Sequence, residues 1–71
     1  MKLSVGMIVL DKSDAQLLPH QVVMFHFDAV YTRRVERVDE RWQVPLRDIN
    51  KPADYWVRRA FEARFMPYLD A

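Results

Sequence analysis

The side chains that could perform catalysis are few and well separated in this chain of 71 residues. His20 and His26 are six residues apart, and neither has a carboxylate at a spacing typical of a zinc site. The chain has no cysteine, which excludes thiol catalysis and thiolate zinc sites, and its single glycine, Gly6, cannot build a phosphate-binding loop. The sequence therefore predicts that the protein is not an enzyme and needs neither a metal ion nor another cofactor.

Arginine and aromatic side chains favour binding instead. Eight of the eleven basic residues are arginines, although the formal net charge is only +1. Arginine pairs bidentately with carboxylates and phosphates, and arginine, tyrosine and tryptophan dominate protein–protein hot spots. The two candidate protein-binding surfaces are a strand surface with Tyr31, Arg33, Arg34 and Arg37, and a helix face with Tyr55, Arg58, Arg59 and Glu62. The alternative is that these charges only keep the strand and helix faces solvated.

Direct nucleic-acid binding is a second, less favoured function. Small barrels bind single strands by stacking bases on exposed aromatic rings beside cations. The residues that match this pattern are Tyr31, Arg33, Arg34, Arg37, Arg41 and Trp42. However, the net charge is close to zero, and Trp42 alternates in step with Val44 and Leu46, which predicts that its ring is buried. Protein binding is therefore the favoured function.

Two hydrophobic periodicities divide the chain into a strand-rich part and a helical part. Strands are predicted at about residues 5–10, 21–27, 30–38 and 41–46. The polar pair Asp39–Glu40 predicts a turn between the last two strands. Apolar residues then recur at spacings of three and four, which predicts a helix over about residues 52–66 that begins at Pro52. The predicted fold is a single α+β domain of residues 1–71, with a small antiparallel four-stranded sheet or SH3-like partial barrel and a C-terminal helix.

The apolar N-terminal segment is predicted to be a buried strand. It is interrupted by Asp11, Lys12 and Asp14 and has no small-residue cleavage site, so neither a signal peptide nor a membrane span is expected. Together with the lack of cysteine, this predicts a cytoplasmic protein. The side chains expected to form the core are Val5, Ile8, Val22, Val35, Trp42, Val44, Leu46, Trp56, Ala60 and Phe61.

Four segments together resemble one group of proteins. They are Leu3–Gly6, Tyr31–Arg37, Arg41–Asn50 and Tyr55–Ala63. With them, the chain resembles the very small cytoplasmic regulators that bacteriophages, a Xanthomonas phage among them, make against host RNA polymerase. The resemblance implies a protein of the host bacterial cytoplasm that binds the N-terminal region of the polymerase β′ subunit. It also implies inhibition of initiation by sigma displacement, and antitermination near the RNA exit channel with the elongation factor NusA.

The segment from Val5 to Ile49 also resembles the small SH3-like barrels that serve as accessory domains in transposases and other nucleic-acid enzymes. This second resemblance implies a nucleic-acid-binding module. A steep dependence of nucleic-acid affinity on salt would favour it, because phosphate contacts release counterions.

Overall fold

Seven short β-strands, one helix and one 3₁₀ turn make up the fold of residues 1–69, the part of the chain that the computed structural model describes. The strands are β1 (Ile8–Asp11), β2 (Pro19–His26), β3 (Ala29–Arg34), β4 (Glu36–Val38), β5 (Arg41–Gln43), β6 (Asp54–Val57) and β7 (Phe65–Pro67). The 3₁₀ turn Leu46–Asp48 follows β5. The helix α1 (Arg58–Arg64) directly follows β6 and leads directly into β7.

The main sheet has five antiparallel strands in the order β6–β3–β2–β1–β7, and β4 and β5 form a separate two-stranded hairpin. Because β6 and β7 are the outer strands of this sheet, α1 connects its two edges and packs over the core. The predicted α+β class, the antiparallel sheet and the C-terminal helix are confirmed. The main sheet has five strands and not four, because two segments that were assigned to the helix pair as strands.

The predicted helix over residues 52–66 is wrong at both ends. Tyr55, Trp56 and Val57 lie in β6, which pairs with β3. Aromatic and β-branched residues favour strands. The spacing of the apolar residues in this segment is compatible with the alternating inward and outward side chains of a strand as well as with a helix. Pro52 consequently lies in a loop before β6 and does not begin the helix. The helix has only seven residues, and none within residues 1–69 is long and apolar enough to cross a membrane.

All four predicted strands have different boundaries in the structure. The first strand begins three residues later than predicted, and Val5 is 64% exposed beside Gly6, whose φ of 94° is readily adopted only by glycine. The strand predicted over residues 30–38 is divided at Val35, whose side chain is buried. The N–H of Val35 donates to the carbonyl of Pro19 at 3.1 Å. The chain leaves the main sheet at this point, and the residues that follow form the β4–β5 hairpin.

Two phenylalanines from the C-terminal part complete the core. Phe61 of α1 and Phe65 of β7 stack with ring centroids 4.9 Å apart, and valines from β1, β2 and β3 pack with them. The predicted core residues that are buried are Val22, Val35 and Phe61. Those that are half-buried are Ile8, Trp42, Val44 and Trp56, and those that are exposed are Val5, Leu46 and Ala60. Leu46 is exposed because β5 ends at Gln43, so the alternation that predicted its burial does not extend to it.

Candidate functional site

The β4–β5 hairpin presents an aromatic ring and a guanidinium group side by side. Arg37 and Trp42 are directly paired across the hairpin, and the Arg37 guanidinium carbon lies 5.0 Å from the centroid of the Trp42 ring. Trp42 also meets Tyr68 edge to face, with centroids 5.5 Å apart. Both contacts orient the ring. The ring is half-buried and lies outside the core, in contrast to the prediction that it would be buried.

A groove of about 320 Å³ opens beside this ring, and we name it the Trp42 groove. Its apolar lining consists of Leu18, Pro19, Val35, Trp42 and Pro45. The charged side chains that line it are Arg34, Arg37, Arg47 and Glu36. An apolar floor with mainly cationic sides suits an apolar side chain that is flanked by negative charge.

A second, more polar cavity of about 230 Å³ adjoins the groove, and we name it the His20 cavity. The charged residues that line it are Arg33, Arg34, Lys51, Asp48 and Asp54. Arg33 Nη1 donates to the backbone carbonyl of Lys51 at 2.7 Å, and Lys51 Nζ lies 3.0 Å from an oxygen of Asp48. This ion pair lowers the pKa of Asp48. Arg34 lines both cavities, and we name the two together the basic cleft.

His20 is a buried imidazole in the wall of the basic cleft. Its Nδ1 lies 3.2 Å from the hydroxyl of Thr32, which also accepts a hydrogen bond of 2.9 Å from the indole N–H of Trp56. The ring of His20 packs edge to face on Phe65 at a centroid distance of 5.0 Å. Hydrogen bonding and packing therefore fix the imidazole between the core and the cleft.

Burial lowers the pKa of His20 from its usual value of 6.5. The opposing negative charges are those of Asp54 and Asp11, and the positive charges that add to the lowering are those of Arg64 and Arg34. The imidazole is therefore neutral at pH 7 and contributes no charge to the cleft.

Asp11 is a buried carboxylate outside the cleft, and its partners show a structural role. It accepts hydrogen bonds from Nε and Nη2 of Arg64 at 3.0 Å each, and from the N–H and hydroxyl of Ser13 at 2.9 and 2.7 Å. The hydrogen bond from Arg64 is the main reason that the pKa of Asp11 is lowered to about 2. This carboxylate is thus ionised and fully engaged, which suits an ion pair and not a general acid or base. Within residues 1–69, no group of three or more histidine, aspartate and glutamate side chains is placed to hold a metal ion.

A separate aromatic patch lies on the face of the main sheet that points away from the core. Tyr31 and Tyr55 are neighbours across β3 and β6, with ring centroids 5.4 Å apart in an edge-to-face arrangement. Met24 of β2 is aligned with Tyr31, so three strands contribute to this row of side chains. Tyr55 is 58% exposed and Met24 is 49% exposed. We name Met24, Tyr31 and Tyr55 the tyrosine patch.

The seven predicted binding residues fall into three places. Arg33, Arg34 and Arg37 line the basic cleft, Tyr31 and Tyr55 form the tyrosine patch, and Arg58 and Arg59 begin α1. The predicted helix face does not exist as one surface, because its tyrosine lies in a strand. Arg58 instead forms an exposed helical ion pair with Glu62 at 3.7 Å.

Two cationic residues of the cleft, Arg47 and Lys51, were missed by the sequence reasoning. Both lie between Pro45 and Pro52, in a segment whose Lys51 carbonyl accepts the hydrogen bond from Arg33 of β3. The two prolines were the available signal, because proline disfavours continued strand pairing and sends the chain into a loop.

Comparison with known protein families, with characterised proteins and with solved structures finds no match to this chain. The resemblance to phage regulators of RNA polymerase and the resemblance to nucleic-acid-binding barrels therefore both stay predictions. The basic cleft and the tyrosine patch are the observations on which a function can be proposed.

Proposed function

We propose that the protein is a non-catalytic regulator of the host bacterial cytoplasm that binds RNA polymerase through the basic cleft. The observation that carries the proposal is the Arg37 guanidinium 5.0 Å from the half-buried Trp42 ring, at the Trp42 groove. Arginine and tryptophan in partly desolvated pockets are the residues that most often dominate protein–protein binding energy. The N-terminal region of the polymerase β′ subunit is the docking target that the sequence resemblance suggests.

The charge distribution supports a protein target in preference to DNA. The net charge of the chain is +1, so a long polyanion is not attracted from a distance. Within the Trp42 groove, in contrast, three arginines stand against Glu36. Such a local excess of positive charge favours association with an acidic patch that has an apolar centre.

The proposed mechanism is competition for a protein surface. By occupying part of the sigma-binding surface, the protein displaces the sigma factor and inhibits initiation. On the elongating polymerase, the same bound protein promotes antitermination near the RNA exit channel, with NusA as the proposed second partner. The tyrosine patch is a suitable surface for this second contact, because Met24 and Tyr55 are exposed and the residues of the patch do not line the basic cleft.

We also propose that the main sheet is a partial barrel of the SH3-like kind. The strand order β6–β3–β2–β1–β7 supports it, as does the short helix that joins the two outer strands. The β4–β5 hairpin is inserted between β3 and β6 and supplies one wall of the basic cleft. This placement leaves the barrel intact when the hairpin engages a partner.

A binding titration against purified core polymerase tests the function. A variant with Arg34→Glu and Arg37→Glu is expected to bind about tenfold or more weakly, because both reversed charges then face an acidic partner. The control is Arg41→Glu, which makes a single charge reversal of the same kind on an exposed hairpin residue that lines neither cavity. Transcription from a sigma-dependent promoter, measured beside the titration, is expected to be inhibited by the control and the wild type only. Wild-type protein that neither binds core polymerase nor lowers promoter-initiated transcripts contradicts the proposal.

A nucleic-acid-binding module is the second candidate, and one observation favours it. The half-buried Trp42 ring lines a groove together with Arg34, Arg37 and Arg47, and an aromatic ring beside cations is typical of sites that stack single-stranded bases. A titration with a single-stranded oligonucleotide at several salt concentrations separates the two functions. Tight binding whose affinity falls steeply with salt supports the module, whereas weak binding supports the polymerase regulator.

A further inference from the structure

We propose that Arg34 binds one carboxylate group of an acidic side chain of the protein partner, at the junction of the two cavities. An apolar side chain of the same partner segment then packs in the Trp42 groove. This inference rests on the proposed function in requiring a protein partner, and it specifies the chemistry of the segment that the basic cleft recognises. The ligand is therefore an acidic residue beside an apolar one.

The hydrogen-bonding state of Arg34 is the first argument. Arg34 lines both the His20 cavity and the Trp42 groove, and its side chain is exposed. Within residues 1–69 its guanidinium group makes no hydrogen bond or ion pair, whereas Arg33 is tied to a backbone carbonyl and Arg64 to Asp11. A guanidinium group offers five N–H donors in a planar fork that matches both oxygens of a carboxylate. Arg34 can therefore engage such a group without first losing an internal partner.

The charge of the His20 cavity is the second argument. Three cations and two carboxylates line it, which leaves an excess of one positive charge while His20 is neutral. One carboxylate balances this excess. A nucleic-acid strand brings several phosphates in succession, and these would approach the lining carboxylates Asp48 and Asp54. The cavity therefore favours a single acidic side chain over a polyphosphate backbone.

The adjoining groove supplies the third argument. Its floor combines Val35, Trp42 and Pro45 with two more apolar residues, so it can remove an apolar side chain from water. Arg37 is held over the indole ring and keeps a positive charge at the same place. Burying an apolar anchor beside a bidentate ion pair is a typical arrangement of an interface hot spot.

The test uses nuclear magnetic resonance of the isotope-labelled full chain and two capped tripeptides. One peptide is leucine–glutamate–leucine, and the other is leucine–glutamine–leucine, which has the same shape without the charge. The glutamate peptide is expected to shift the Arg34 Nε–H signal and the Trp42 indole signal, and to bind about tenfold more tightly than the glutamine peptide. Arg34→Gln is expected to remove this preference, while the matched control Arg41→Gln keeps it. Unchanged melting temperatures show that both variants are folded.

His20 supplies an independent readout. A carboxylate bound at Arg34 adds a negative charge beside the cavity and offsets a cation that favours the neutral imidazole. The pKa of His20 is therefore expected to rise when the glutamate peptide is bound, and to stay the same with the glutamine peptide. The other charged groups that line the cavity, namely Arg33, Lys51, Asp48 and Asp54, are unchanged in this comparison.

Three results would overturn the inference: equal affinity for both peptides, no signal shift at millimolar peptide, or unchanged discrimination in Arg34→Gln. Tighter binding of an oligouridylate probe than of the glutamate peptide, with shifts at the same two side chains, also overturns it. Failure of the proposed function would give a different result: the glutamate peptide would bind the basic cleft with its preference intact, and core polymerase would not bind the protein. Conversely, if wild type and Arg34→Gln bind core polymerase with equal affinity, the proposed function is retained and the carboxylate site at Arg34 is overturned.

Discussion

The hydrophobic core, which lies beneath the main sheet, differs from the β4–β5 hairpin in burial, in backbone strain and in chemistry. Five core side chains are at most 1% exposed, whereas all six strand residues of the hairpin are exposed or half-buried. The core is held by valine and phenylalanine packing, and the hairpin by a cation–π contact and an edge-to-face ring pair, each contributing about 0.5–1.5 kcal/mol. The free energy of folding and the binding chemistry are thus located in different regions. Binding residues can therefore change with little effect on the fold.

A hydrogen-bonded network continues the core up to the wall of the cleft. Trp56 lies beneath the guanidinium group of Arg64 at 4.7 Å, meets Phe65 edge to face at 5.1 Å, and donates to Thr32. Thr32 in turn contacts His20, so the network reaches the basic cleft. Within residues 1–69, no buried side-chain nitrogen or oxygen lacks a hydrogen-bond partner. The hairpin side of the cleft has no comparable internal network among the described residues.

Removing a core ring is expected to have the largest effect. Phe61→Ala should lower the free energy of unfolding by about 3–5 kcal/mol, because Phe61 is fully buried and its loss leaves a cavity. A domain of this length has a total stability of about 4–10 kcal/mol, so much of the population should unfold. Urea unfolding followed by circular dichroism measures the change, and Phe61→Leu serves as the milder control. A midpoint that is unchanged by the alanine substitution would contradict the assignment of α1 to the core.

Breaking the Asp11–Arg64 ion pair is expected to have the next largest effect. Asp11→Asn should lower the free energy of unfolding by about 2–4 kcal/mol, because the bidentate charged hydrogen bonds to Arg64 are lost in a buried position. Asp28→Asn is the matched control, since it makes the same chemical change on an exposed side chain. Urea unfolding at pH 7 compares the two variants. Equal stability of both would show that the ion pair does not contribute to the fold.

Lowering the pH is expected to reduce the stability of the core network in two steps. The hairpin carries no buried titrating group and is not expected to contribute to this loss. Burial lowers the pKa of His20 below 6.5, so the unfolded chain takes up a proton first and stability declines as the pH falls below 6.5. The pKa of Asp11 is lowered to about 2, so its contribution is complete above pH 3.8 and is lost as the pH falls toward 2. Urea unfolding across this pH range measures both steps. In His20→Gln the first decline should disappear and the second should remain, whereas persistence of the first decline would assign it to another group.

Relieving strain in the hairpin turn is expected to have the smallest effect. Asp39 and Glu40 have φ values of 51° and 65°, the left-handed conformation that a two-residue turn requires and that Asn-Gly adopts more readily. Asp39→Asn combined with Glu40→Gly should stabilise the hairpin by about 1 kcal/mol. Amide hydrogen exchange at Val38 and Arg41, which pair beside the turn, measures the local change. The control Asp39→Asn with Glu40→Ala keeps a side chain at the second position, and an equal gain there would rule out backbone strain as the cause.

The fold was predictable where local pattern and tertiary burial agree. The alternation in the first half predicted antiparallel strands, and the polar pair Asp39–Glu40 predicted the turn that joins β4 to β5. Phe61 was assigned to the core because it lies on an apolar stripe, and its helix does pack there. The stripe was misread at Tyr55 and Trp56, since a spacing of a few residues is compatible with both a helix and a strand.

The candidate site was predictable in its residue types and only partly in its positions. Arg33, Arg34 and Arg37 are close in sequence and line the same cleft. The placement of Arg47 and Lys51 depends on a loop whose path the local pattern does not encode. The tyrosine patch likewise arises from strand pairing between residues that are 24 positions apart.

The amino-acid sequence by itself determined the antiparallel α+β class, the burial of Phe61, and the confinement of arginine to residues 33–64. These properties follow from hydrophobic periodicity and composition, which act locally. Only the tertiary structure decided that Tyr55 lies in a strand, that Trp42 stays accessible, and that Arg34 joins two cavities. Each of these depends on a long-range contact: pairing of β6 with β3, the departure of the chain from the sheet at Val35, and the return of the loop that carries Lys51. Such contacts are selected by the free energy of the whole fold, and no local segment specifies them.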